Sequence, residues 1–141
     1  MNMNERPRLT VGAMVFNIKR EKILLLKSLK WGGKYIFPCG HVEFGERLEE
    51  AVKREVREET GLEVKDLKFL RILEFIKSQE YYDKSLHFVG LQYTCQALGE
   101  NVITNKEADS YIWVSPSEAL REDLESGTLE TITSYLSSKR N

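Results

Sequence analysis

Residues 40 to 62, GHVEFGERLEEAVKREVREETGL, constrain this chain more than any other stretch. Gly40 and Gly45 bracket a short polar turn, and from Arg47 the pattern turns helical. Leu48, Ala51, Val52 and Val56 recur at the three- and four-residue spacing of one helix face. Glu55, Glu58 and Glu59 follow seven residues after Leu48, Ala51 and Val52. At about 100° per residue, all three acids fall in line with that apolar stripe. Arg47, Glu50, Lys53, Arg54 and Arg57 take the opposite, solvent-facing side. A charge-rich helix ordinarily shows a solvated face laced by i,i+4 pairs, and Arg54 with Glu58 fits such a pair. The position of the acids argues against that reading. Like charges at these spacings repel, and on a core-facing stripe each also loses hydration. A bound divalent cation offsets both costs. Oxygen donors with no Cys or His among them suit a hard ion, Mg²⁺ with Mn²⁺ as a substitute.

The same stretch resembles the signature of the Nudix hydrolases, G-x5-E-x7-R-E-U-x-E-E-x-G-U, with U an aliphatic residue. Gly40, Glu46, Arg54, Glu55, Val56, Glu58, Glu59, Gly61 and Leu62 fill every fixed position. The resemblance implies an α/β/α sandwich with a mixed β-sheet between helices. It implies Glu55, Glu58 and Glu59 as metal ligands, joined by the Gly40 carbonyl. It places Arg54 and Glu58 in the catalytic machinery, with Arg54 holding a glutamate through charge-assisted hydrogen bonds. A surface salt bridge is the plainer role for Arg54. Glu46 is expected to fix the turn onto the helix, and Gly61 to take a backbone conformation other residues resist. Family members often add an acid from a distant downstream loop, as ligand or base. Glu107 is that candidate, because it precedes an expected strand over 111–114; its alternative is an exposed loop acid. Glu80 and Glu100 stand behind it.

At 141 residues the chain has the length of one domain, here read as a flexible segment 1–8 and a single Nudix unit 9–141. A net charge of -1 gives no sign of general nucleic-acid binding. No apolar run approaches the roughly 20 residues of a membrane span, and the N-terminus lacks the apolar run of a signal peptide. Two cysteines, Cys39 and Cys95, form neither a metal spacing nor a disulfide framework, which fits a reducing cytoplasm.

Strands are expected over 9–16, 23–26, 35–37, 66–76, 87–97 and 111–114. Ile23, Leu24, Leu25 and Leu26 run without a break, as in a strand covered on both faces. Leu67, Phe69, Leu73 and Phe75 share one parity, broken by Arg71. His87, Val89, Leu91, Tyr93, Cys95 and Ala97 alternate, with Gln92, Thr94 and Gln96 facing the other way. Ser115, Pro116 and Glu118 form a capping box with Pro at the first helical position. Gly127 is expected to separate that helix from a last one carrying Leu129, Ile132 and Leu136.

No Ser/His/Asp or Cys/His arrangement supports a covalent route. The resemblance implies attack of metal-activated water on a nucleoside diphosphate linked to another group. A nucleoside triphosphate, modified or not, giving the monophosphate and pyrophosphate, is the reading adopted. The alternatives are ADP-ribose, a nucleotide sugar or a dinucleoside polyphosphate as substrate, or a non-catalytic nucleotide-binding sensor. Trp31, Lys34 and Tyr35 are candidate substrate residues, since aromatic faces stack on bases and a lysine meets phosphate. Packing and solvation are their plainer roles. His87 reads as a packed histidine, and Cys95 and Trp113 as core. Cys39 departs from the glycine many relatives carry before the box glycine. The assembly is a monomer or homodimer.

Overall fold

The computed structural model describes residues 5–139. The expectation of a loose 1–8 segment falls partly outside these residues, and Arg8 already belongs to the first strand. The elements run β1 (Arg8–Phe16), β2 (Ile23–Ser28), a 3-10 turn (Leu29–Trp31), β3 (Lys34–Ile36) and β4 (Cys39–His41). Then come α1 (Leu48–Thr60), β5 (Val64–Ile76), β6 (His87–Ala97), β7 (Ala108–Val114), α2 (Pro116–Ala119) and α3 (Ser126–Ser138).

β1 organises a seven-stranded mixed sheet. Along one edge it pairs in parallel with β6, from Arg8↔Phe88 to Phe16↔Gln96. Its other edge is shared. β4 takes the first half, antiparallel, with Val11 opposite Gly40. β2 takes the end, at Phe16↔Ile23, and carries β7 and β3 with it. β5 lies outermost, antiparallel to β6.

Strand parity sorts the apolar residues into two cores. Val11, Ala13, Val15, Leu24 and Leu26 pack with Ala51, Val52 and Val56 of α1. Met14, Phe16, Ile23 and Leu25 pack with Ala119 and Ile132 of the C-terminal helices. The unbroken apolar run of β2 is thus buried on both faces, and the α/β/α sandwich is the observed fold. Ser115 caps α2 by accepting from the Glu118 N–H, as the capping box requires. Gly61 ends α1 with φ 74°, its N–H donating to the Arg57 carbonyl at 2.8 Å.

Several expectations change in detail. Gly40 lies in strand β4 instead of a turn, because Cys39–His41 finds β1 as a partner. β7 begins at Ala108, three residues before the expected strand, because β2 extends to Ser28 and pairs with it. Register shifts in β5 follow Lys65 and Phe69, and Asp66 sits at φ 56°. These shifts reverse parity, so Phe69 is exposed while Leu73 is buried. Gln92 and Thr94 are buried, since α3 covers the face they were expected to present outward. Gly127 lies inside α3, because the Glu125 carboxylate accepts from the Gly127 and Thr128 N–H groups and starts the helix earlier. Leu129 is correspondingly exposed. His87 is half-buried, Cys95 is fully buried and Trp113 packs on the α1-side core.

Burial on both faces of β2 has a measurable consequence. Leu24→Ala and Leu25→Ala are each expected to lower unfolding stability by about 2–5 kcal/mol in chemical denaturation. Leu29→Ala, at 67% exposure, is expected to change it by less than about 0.5 kcal/mol. A strand with one wet face would lose stability at only one of the two leucines.

Candidate active site

The site begins where β4 meets α1. A Cβ on Gly40 would collide with the Glu55 carboxylate, so only glycine lets this strand lie against the acid. One turn on, Glu59 is 4% exposed and its Oε2 accepts from the Cys39 N–H at 3.0 Å. Glu55 is half-buried, and its carboxyl lies beside that of Glu59. Glu58 departs from the expectation for the stripe. Its side chain is 56% exposed, at the rim. The stripe turns slowly around the helix, and by Glu58 the sheet no longer covers it.

Arg54 was expected on the solvent side, yet its side chain is only 19% exposed. Its guanidinium grips both Glu46 oxygens, Nε to Oε2 at 2.7 Å and Nη2 to Oε1 at 2.9 Å. Nη1 donates to Glu55 at 2.8 Å and to Glu58 at 3.2 Å, while Nη2 also donates to the His41 carbonyl at 2.9 Å. Glu46 in turn accepts from the Glu43 N–H at 3.0 Å, which ties the turn to the helix. Hydrogen bonds from Arg54 hold the Glu46 carboxyl down at about 2. The same partners hold the Arg54 proton more tightly than usual.

Burial acts oppositely on the inner pair. It raises Glu55 against the pull of Arg54. It pushes Glu59 well above the usual carboxylate range, with the Glu55 and Glu107 charges adding to the effect. Burial, then the Glu59 charge, likewise pushes the Cys39 thiol up, so it stays protonated.

The distant loop reaches the same place. The Ile103 N–H donates to the Thr60 carbonyl at 2.9 Å, and Asn105 Nδ2 to the Glu58 carbonyl at 3.3 Å. Asn105 Oδ1 accepts from the Glu107 N–H at 2.9 Å, and the Glu107 carboxylate pairs with Lys30 at 3.1 Å. Glu107, Lys30, Arg54 and the three glutamates all line one cavity of about 370 Å³. Trp31 lines it too, packed against Tyr81 with ring centroids 4.6 Å apart. Lys34 and Tyr35 lie elsewhere. Lys34 pairs with Asp123 at 3.0 Å, and Tyr35 packs on the α3-side core. Ile36 and Phe37 take the cavity positions instead. Phe75, Gln92 and Glu125 also line the cavity and were not singled out as site residues. The alternation of β6 puts Gln92 on an outward face, and the buried Glu125 carries no motif.

Among the described residues, no three His, Cys, Asp or Glu side chains are arranged around a common ion position. One oxygen of Glu55 accepts from Arg54 and one of Glu59 from the Cys39 N–H. The donor set still fits a hard cation. It is oxygen-only, it holds two desolvated carboxyls pressed together, and a glycine clears the space beside them.

Fold and site define a class: an α/β/α sandwich with carboxylates gathered at one helix end beside a cavity. The NUDIX domain model matches residues 6–135. The nucleoside triphosphatase NudI of Escherichia coli O139:H28 is 31% identical over 105 residues, 71% of this chain and 74% of that protein. A MutT Nudix hydrolase from Burkholderia pseudomallei has the same fold, with a TM-score of 0.78 at 24% identity over 92% of this chain and 98% of that one. The MutT protein of Methanosarcina mazei Go1 gives 0.77 at 25% identity over 97% and 99%. The chain belongs to the Nudix hydrolase family. Nudix hydrolases generally need divalent metal ions. No helix among the described residues is long and apolar enough to cross a membrane.

Glu59 binds its proton more tightly in the folded than in the unfolded chain. The associated stability is therefore fully present below its ordinary 4.5 and is lost as pH rises toward the raised folded value. Glu46 acts oppositely, its contribution fading only as pH falls toward about 2. Thermal melts of metal-free protein from pH 5 upward are expected to show a falling midpoint, which Glu59→Gln flattens and added Mn²⁺ offsets. A wild-type midpoint that holds steady over that range would remove the argument.

Proposed function

We propose that this Nudix hydrolase cleaves a nucleoside triphosphate to the monophosphate and pyrophosphate, using Mg²⁺ held by Glu55, Glu58, Glu59 and the Gly40 carbonyl. The observation that carries this reading is the Glu55 and Glu59 pair, buried against glycine beside a cavity that also holds Arg54, Lys30 and Glu107. The 31% identity to a nucleoside triphosphatase supports the choice of substrate. The free thiols of Cys39 and Cys95 favour a reducing, cytoplasmic setting.

The cation, when bound, neutralises phosphate oxygens and lowers the pKa of water. The chain's own residues do the rest. Arg54 offsets the repulsion between Glu55 and Glu58 and keeps both beside Glu46. Gly40 gives Glu55 its room. Lys30 offers an ammonium to phosphate charge. Glu107, tethered through Asn105 to the end of α1, accepts a proton from the attacking water. The water oxygen bonds to phosphorus, the anhydride bond opposite it breaks, and pyrophosphate departs from the monophosphate.

The decisive measurement is product release from triphosphates with Mg²⁺, resolved by anion exchange. Glu58→Gln and Glu107→Gln are each expected to lower kcat by about 10²-fold or more with the fold intact. Gly40→Ala is expected to lose activity as well, through displaced Glu55. Tight nucleotide binding by the wild type with no turnover would make the chain a sensor module instead.

A further inference from the structure

The cavity floor holds an amide without a partner. Gln92 is 6% exposed and lines the cavity. Its side chain makes no hydrogen bond among the described residues. Its polar atoms are not sealed in, since the fully enclosed side-chain atom without a partner is Trp113 Nε1. An amide set in the cavity floor with no protein partner contributes little to folding, and its free donor and acceptor face the cavity alone.

Two glycines make its place. Gly12 lies beside Gln92, and Gly90 beside Thr10, across the parallel pairing of β1 and β6. A Cβ at Gly12 would collide with Gln92 Oε1. A Cβ at Gly90 would lie 3.0 Å from Gln92 Nε2 and 3.3 Å from Phe75 Cε2. The carboxamide therefore lies across the bare sheet, with the Phe75 ring beside it. That ring continues to α3, where a Cβ on Gly127 would sit 2.8 Å from Phe75 Cε1. Trp31 meets Phe75 with ring centroids 5.5 Å apart, and Phe88 stands edge-on to Tyr81 at 5.2 Å.

The result is a chamber with aromatic walls and a two-way polar group in its floor. A carboxamide donates and accepts side by side, so it matches a ring edge that does the same. Phosphate oxygens in their ionised form offer acceptors alone. Nucleobases carry both the matching edge and a face for stacking. Building on the reading of this chain as a triphosphate hydrolase, we propose that Gln92 is a specificity-determining residue that hydrogen-bonds the edge of the substrate's nucleobase over the floor cleared by Gly12 and Gly90.

The test compares kcat/KM for ATP, GTP, CTP and UTP in wild type, Gln92→Met and Gly12→Ala. Gln92→Met keeps the length and removes both polar atoms; Gly12→Ala displaces the amide without removing it. Both are expected to lower kcat/KM for the preferred base by about tenfold or more and to bring the four values within about threefold of one another. An unchanged ranking, with all four values falling alike, would mean a packing role and would overturn the assignment. A second readout needs no turnover. In metal-free wild type, the side-chain NH₂ resonances of Gln92 are expected to shift saturably with at least one of adenosine, guanosine, cytidine and uridine. If no triphosphate is hydrolysed, the hydrolase reading fails and this titration alone decides the role of Gln92. If the resonances stay fixed with every nucleoside while hydrolysis proceeds, the Gln92 assignment fails alone.

Discussion

One guanidinium holds the acidic end of α1 together. Arg54 spends its fork on Glu46, Glu55, Glu58 and the His41 carbonyl. These contacts join strand β4, the turn after it and the helix, three consecutive segments of the chain. A lysine, with three donors on one atom and no planar fork, could not grip both Glu46 oxygens side-on and still reach Glu55, Glu58 and the His41 carbonyl. The grip matters because the helix presents more negative charge than its surroundings can solvate. Glu55 and Glu59 sit where water is scarce, and burial raises both. With Arg54 in place, the pair needs only a proton or a cation to be satisfied. The site is thus held ready for positive charge.

The glycines act in the same sense at two places. Gly40 removes a side chain so that Glu55 can lie on strand β4. Gly12 and Gly90 remove side chains so that Gln92 can lie on the sheet floor. In each case a polar group occupies volume that a Cβ would otherwise fill. The acid cluster and the cavity floor therefore share one construction, a bare backbone under a polar side chain.

Local spacing made much of this legible in the sequence. The stripe of Ala51, Val52 and Val56 and the glutamates beyond it are separated by fixed numbers of residues within one helix. The double-sided burial of β2 was legible because Ile23 to Leu26 leaves no polar position. What depends on neighbours far along the chain was not. Glu58 falls at the rim because the sheet ends there. Phe69 turns outward while Leu73 turns in because a register shift between Phe69 and Arg71 resets the alternation. Lys34 and Tyr35 miss the cavity because β3 leans toward Asp123 and Leu124. Gln92 looked like the outward side of a strand, and only the packing of α3 shows that this side is covered.

The loop before β7 is fastened to the last turn of α1 by Ile103 and Asn105. Glu107 is therefore braced from two sides, by the helix through Asn105 and by the 3-10 turn through Lys30. Upstream of Ile103, Val102 is buried in the α1-side core and Glu100 accepts from Asn17 Nδ2 at 3.3 Å, so the loop is pinned there too. The loop acid cannot swing away from Glu55, Glu58 and Glu59 without breaking contacts to helix and turn alike.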